Sequence, residues 1–210
     1  MNAKAQFAPE PNSLTSDEKL ASLCVRDRIF ETARELFYRQ GIHQVGVEAI
    51  ASKAGTTKMS LYRHFASKDD LVAACLTEDV RLFWEWWDSV VTPHAGNPRL
   101  QLESLFDAFQ NDTCEVENPR GCPLANAAVE LPEPEHPGRQ VIVQYKAEQR
   151  RRLREMCHQM GARNADRLGD ALVLLIEGSY VSGLVFSQSG PDSAVADTAR
   201  MLIAAHLPAS

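Results

Sequence analysis

The sequence predicts an all-α chain of about nine helices: a three-helix helix-turn-helix domain at the N-terminus, then a larger helical bundle. Three observations carry that reading. Apolar residues recur at helical spacing, as at Ile29, Ala33, Leu36 and Phe37. Helix start and stop signals punctuate the chain at intervals that suit such elements. No alternating apolar run with a hairpin turn appears, so no strand is expected.

The elements follow in order. Residues 1–14 are polar and Pro-containing and are expected to lack fixed structure, within an N-terminal arm over 1–22 that precedes the DNA-binding domain. "TSDE", Thr15 to Glu18, reads as a capping box, and helix is expected from there to about Gln40, with Gly41 ending it. Val47, Ile50, Ala51 and Ala54 give a second, short apolar face opened by Gly46 and broken by Gly55. Thr57 caps a third helix whose buried side is Leu61 with Phe65. Two short helices joined by a tight glycine turn constitute a helix-turn-helix, and the alanines at 51 and 54 allow its close crossing.

Ser67 opens a long helix with Asp69 and Asp70 in its first turn, running to about Val91 through "LFWEWW". After a loop at Pro93, Gly96 and Pro98, the spacing of Leu102, Leu105, Phe106 and Phe109 predicts a helix ending near Asn118-Pro119. "GCPLANAAVEL" predicts a short helix from Pro123. "PEPEHPG" reads as a loop, followed by helices over Gln140–Met160, Ala165–Ser187 and Ser193–Leu207.

Composition narrows the function classes. The chain has 210 residues, 44% of them hydrophobic, enough for a sizeable core. The longest uncharged apolar run, Ala171 to Ile176, is far short of the ~20 residues of a membrane span, and no basic-then-apolar leader opens the chain. Cys24, Cys75, Cys114, Cys122 and Cys157 are odd in number and form no CxxC pair, which fits reduced thiols and a cytoplasmic location. The net charge of −6 is unevenly spread. Residues 22–68 carry eight Lys/Arg against four Asp/Glu, a balance of +4, leaving −10 on the rest. A basic segment on an acidic body is the asymmetry expected of a DNA-binding head with a different task behind it.

The stretch "GTTKMSLYRHFASKDDL", Gly55 to Leu71, bears on that directly. In a helix-turn-helix, the first turn of the second helix meets base edges in the major groove. Lys58 can donate to guanine O6 and N7, Met59 can touch a thymine methyl, and Ser60 can bond either base type. Thr56 and Thr57 suit a phosphate, as do Tyr62, His64 and Lys68 on the flank, with Arg63 and Gly46 completing the expected contact set. The competing reading is a short helix with an ordinary solvated face.

The window Arg28 to Leu71 resembles the DNA-binding domain of the TetR family of bacterial transcriptional repressors. "RDRIFETARELFYRQGI", "VEAIASKAG", "SLYRHF" and "SKDDL" carry the resemblance, in that order. It implies phosphate roles for Tyr62, His64 and Lys68, and operator preference set by Thr57, Lys58, Met59 and Ser60. Gly46 departs from a Thr cap and Met59 from a Gly common in that family. The implied division is a DNA-binding domain over 23–68 and a ligand-binding and dimerisation domain over 69–210.

Across the C-terminal body the resemblance is loose. It implies a homodimer built by the last two long helices. Leu168, Leu172, Leu175 and Phe186, with small Ser179, Ser182 and Gly183, form one expected interface face, and Val195, Ala199 and Leu202 a second. The competing reading places both faces in the intrachain core. A small-molecule site is expected from Trp84, Trp87, Phe106, Phe109 and Tyr145, with Cys122, Asn126, Glu177 and Tyr180 beside them, for an apolar or aromatic effector. "EQRRRLRE", Glu148 to Glu155, reads as a solvated face with i,i+4 pairs Glu148–Arg152 and Arg151–Glu155.

The expectation is therefore a ligand-responsive repressor that binds a palindromic operator in double-stranded DNA, with no membrane partner, cofactor or metal. One alternative replaces the effector by thiol chemistry at Cys114 or Cys122. Another is an all-α enzyme, but no HExxH, GxSxG or Gly-rich phosphate loop supports catalysis.

Overall fold

The computed structural model describes residues 23–114, 120–186 and 190–207, without the side chains of 112–114. The expected N-terminal arm, the "TSDE" cap, the helix end near Asn118-Pro119 and the Cys114 thiol lie outside the described residues. Among those described there are nine α-helices and no strand. They are α1 (Val25–Gln40), α2 (Val47–Lys53), α3 (Lys58–His64), α4 (Lys68–Val91), α5 (Pro98–Cys114), α6 (Pro123–Glu130), α7 (Pro137–Gln159), α8 (Ala165–Phe186) and α9 (Val195–His206). Short 3-10 turns at Thr92–His94 and Pro191–Ala194 precede α5 and α9. α7 begins earlier than expected because Pro137 serves as its first residue, where a missing N–H costs nothing.

The described residues form two compact units. One contains those up to Val80 together with Cys122–Val143; the other contains Arg81–Gly121 and those from Gln144 onward. The first turns of α4 and of α7, and all of α6, thus group with α1–α3.

In the first unit α1 packs on α2 and α3, and α2 packs on α3. Ile29, Ala33, Ile50 and Leu61 are its fully enclosed centre. Gly41 ends α1 at φ +89 and leaves room for Glu130, whose carboxylate accepts from the His43 amide at 2.8 Å. Arg34 of α1 donates twice to Asp79 of α4, at 2.8 and 3.2 Å. Burial pushes Asp79 up to about 6 against the pull of that guanidinium, and pushes the Cys75 thiol well above its usual range.

In the second unit α5, α8 and α9 pack on one another. Aromatic rings fill its centre: Phe83 stands edge-on to Tyr145 at 5.0 Å, and Trp86 meets Phe109 at 4.8 Å. Gln110 accepts from the Ala196 amide at 3.2 Å, satisfying an orphan N–H in the first turn of α9.

The arginine run is solvated at Arg150 and Arg151 and forms the expected Glu148–Arg152 pair, but it also ties α7 to its neighbours. Arg150 and Arg154 of α7 both grip Asp170 of α8, with contacts of 2.6 to 2.8 Å. Arg152 reaches Asp88 of α4 and stacks over Trp84, 4.0 Å from its ring centre. Glu148 takes Arg151 and Arg152 together, which holds it down at about 2; Glu155 instead accepts from Gln159. Gly169 explains the close approach of α8, since a Cβ there would lie 2.6 Å from Arg154 Cγ and 2.9 Å from its Cα.

Candidate nucleic-acid interface

The turn between α2 and α3 is held by its backbone. The Thr56 amide donates to Ala51 at 2.9 Å and the Gly55 amide to Ser52 at 3.1 Å. Gly55 sits at φ +63, a conformation that side chains disfavour, which is why glycine occupies the corner. Arg28, which sequence reasoning left unassigned, braces the corner from α1 by donating to the Ala54 carbonyl at 3.1 Å. Thr57 caps α3 as expected, its hydroxyl accepting from the Ser60 amide at 3.1 Å.

One residue fixes how α3 sits: Leu61 is 0% exposed and points into the unit. Its neighbours must then face outward. Thr57, Lys58, Met59, Tyr62, Arg63 and His64 are exposed, Met59 at 69% and Tyr62 at 43%, with Thr56 and Ser60 half-buried beside them. Gly46 is also exposed, at the N-cap of α2. Lys68 is half-buried and donates to the Ile42 carbonyl at 2.7 Å, so its ammonium is already oriented by the loop after α1. Ser67 caps α4 by accepting from the Asp70 amide at 2.9 Å. The structure therefore brings every residue expected at DNA to the surface of one unit.

Glu48, absent from that expected set, stands among them. It is exposed on the first turn of α2 and accepts from Lys58 at 2.5 Å. The hydrogen bond lowers the Glu48 carboxyl and raises the Lys58 ammonium, so each keeps the other charged.

The residues expected to hold an effector divide between the units. Trp87, Phe106, Phe109, Tyr145 and Tyr180 are buried in the second unit, with Trp84 half-buried at its edge. Glu177 is paired with Lys146 at 2.5 Å. Gln149, unnoticed in the sequence, is fully buried there and donates a long 3.4 Å contact to the Tyr145 hydroxyl, while its amide oxygen has no partner. Cys122 and Asn126 belong to the first unit, where Cys122 is the buried N-cap of α6. Burial pushes the Cys157 thiol up to about 12.

The expected chain–chain interface also divides. Leu168, Leu172, Ser179, Gly183, Val195 and Ala199 are buried within the second unit and offer no surface to another chain. Leu175, Ser182 and Leu202 are half-buried, and Phe186 is exposed. Periodicity marks apolar positions on α8 without saying which of them the chain's own core takes. The outward row is Leu174, Gly178, Val181 and Val185 on α8, with half-buried Ala171 in line with them; Met201 on α9 is exposed as well. Leu174 is 72% exposed, Val185 67% and Met201 72%.

Residues 29–75 match the family of bacterial regulatory proteins described as the tetR family. An HTH-type transcriptional activator, FasR of Mycolicibacterium smegmatis, is 32% identical over 105 residues, which cover 49% of this chain and 45% of that protein. The chain spans about half the length of the curated relatives it matches, the second of them at 54%. A TetR-family transcriptional regulator from Streptomyces coelicolor shares the fold at a TM-score of 0.78 and 26% identity, over 87% of this chain and 95% of that one. A structure described as a TetR-type regulator from Streptomyces avermitilis gives a TM-score of 0.76 at 28% identity, over 88% and 98%.

Proposed function

The chain belongs to the TetR family of transcriptional regulators, and on that premise we propose a homodimeric repressor that binds a palindromic operator and is released by a small effector. The observation that carries this reading is the outward face of α3. Buried Leu61 and the Gly55 corner fix it, and Met59, Tyr62 and Lys58, the last paired with Glu48, are exposed where a duplex can meet them. Lys58, Met59 and Ser60 read base edges; Thr56, Thr57, Tyr62, Arg63, His64 and Lys68 bind the backbone around them. Gly46 lets the start of α2 come close to that backbone.

One head meets few base pairs, and two heads related by a two-fold axis meet a palindrome. The outward row of α8 supports the pairing. Leu174, Val181 and Val185 lie exposed along one side of this apolar helix. Its outer face leaves much apolar area in water, and such an area on a helix marks a contact surface. A second copy is the occupant that gives the head its partner.

The effector is apolar or aromatic and binds in the second unit, among Trp84, Trp87, Phe106, Phe109, Tyr145 and Tyr180, with the Lys146–Glu177 pair beside Tyr145 for a polar group. Binding to a conformation that fits the operator poorly lowers DNA affinity by the ratio of effector affinities for the two states. The protein acts in the cytoplasm, with DNA as its macromolecular partner.

The test is a mobility-shift and footprinting series on the DNA flanking the chain's own coding region. A protected inverted repeat, bound by two chains and released by an aromatic compound that is recovered unchanged, is the expected result. A monomer protecting a single half-site would end the dimer reading. Protection of no sequence in particular would end the regulator reading.

A further inference from the structure

Lys58 is the first residue of α3 and Glu48 the second of α2, and their side chains join the two helices of the turn across 2.5 Å. Both side chains are well exposed, at 52% and 67%. An exposed pair of this kind contributes little to stability. A carboxylate on a surface that approaches phosphates is also repelled, unless a base amine stands in front of it.

We propose that Glu48 is a specificity-determining residue that reads, together with Lys58, a single G·C base pair of the operator. The inference rests on the DNA-binding reading above. In the major groove a G·C pair presents guanine N7 and O6 as acceptors and, beside O6, the cytosine N4 amine as donor. A lysine ammonium in contact with a carboxylate is the complementary series. Lys58 donates to O6 and N7, and Glu48 accepts from N4 of the cytosine opposite. The ion pair holds both groups at that spacing before DNA arrives, so less side-chain freedom is lost on binding.

The pairing also sets an order among the four base pairs. An A·T pair in the same orientation puts the adenine amine against the ammonium and thymine O4 against the carboxylate, two repulsive contacts. A C·G pair puts the cytosine amine against the ammonium and guanine O6 against the carboxylate. A T·A pair keeps one acceptor and one donor in place but lacks the second acceptor at N7. The expected ranking is G·C first, T·A second, and the other two last.

Duplexes selected from a randomised pool by the wild-type chain, Glu48→Ala, Lys58→Ala and the double variant test this. Wild type should show one G·C position per half-site with that ranking. Each single variant should flatten the preference at that position by about 5- to 150-fold, leaving other positions intact. The double variant should lose less than the product of the two single losses, because each residue holds the other in place over one base pair. Unchanged preference at every position in Glu48→Ala overturns the proposal. So does an equal gain in affinity for all duplexes, the mark of a repelling charge and nothing else. Wild type that binds no duplex is a separate result, and it removes the DNA-binding reading itself.

Discussion

Lys68 shows how much a single side chain does in this head. Its ammonium already donates to the Ile42 carbonyl at 2.7 Å and keeps donors in reserve for a phosphate. Lys68→Ala should weaken binding to all duplexes alike and reduce the slope of log affinity against log salt by about 0.9. Titrations over a range of salt read this directly, and an unchanged slope strikes Lys68 from the backbone contacts. The same variant should lose about 0.5–1.5 kcal/mol of stability from the carbonyl bond alone. Leu61 works from the other side of the helix. Leu61→Ala empties a fully buried position, with an expected cost of about 2–5 kcal/mol in chemical denaturation of the head. The directions of these side chains were legible in the sequence because a helix-turn-helix ties each position to a face: once Leu61 is inside, Lys58 and Tyr62 are outside. Glu48 was not legible. A lone carboxylate on a first turn looks the same in sequence whether it serves the helix dipole or stands beside Lys58, and only the folded turn shows that it does both.

Between helices, buried charge and close backbone approach decide the behaviour. Asp79 on α4 faces Arg34 on α1, and burial raises its carboxyl to about 6. In the unfolded chain it titrates near about 3.9, so between those values the folded state holds the proton more tightly. The contribution is therefore fully present below about pH 4 and is lost as pH rises through about 6. Wild type should show that fall in unfolding free energy with rising pH, and Asp79→Asn should not. Parallel curves for the two proteins would show that Asp79 does not carry it. At the α7–α8 crossing, Gly169→Ala gains about 1 kcal/mol in helix propensity. It also drives a methyl to 2.9 Å from Arg154 Cα, a backbone atom with no cheap retreat. The expected net effect is a lower melting temperature, since overpacking costs about 1–3 kcal/mol and the Asp170 fork is disturbed with it. A rise would mean that α7 can move aside freely. The sequence announced both helices, but neither crossing. Periodicity gives a face to each helix and no partner to that face, so the arginines of α7 looked solvated until Asp170 appeared opposite them.

For the molecule as a whole, the unanswered surface is the outer row of α8. The sequence supplied helices of the right length and apolar character, and it offered two faces for pairing. Burial within the chain has since claimed Leu168, Leu172 and Ala199. What remains is Ala171, Leu174, Gly178, Val181 and Val185, spaced alternately three and four residues apart. That spacing is the one by which a helix keeps a continuous seam toward a neighbouring helix. If a second copy covers the seam, charges placed in its centre break the pair without touching either core. Leu174→Glu with Val181→Glu should therefore fold normally, since both positions are already in water. The variant should sediment as a monomer under conditions where wild type is a dimer. Its grip on the full palindrome should fall to that of an isolated half-site, while the same base pairs in the half-site are still preferred. A variant that stays dimeric places the pairing surface elsewhere. One that becomes monomeric yet binds the palindrome as wild type does would separate pairing from operator recognition altogether.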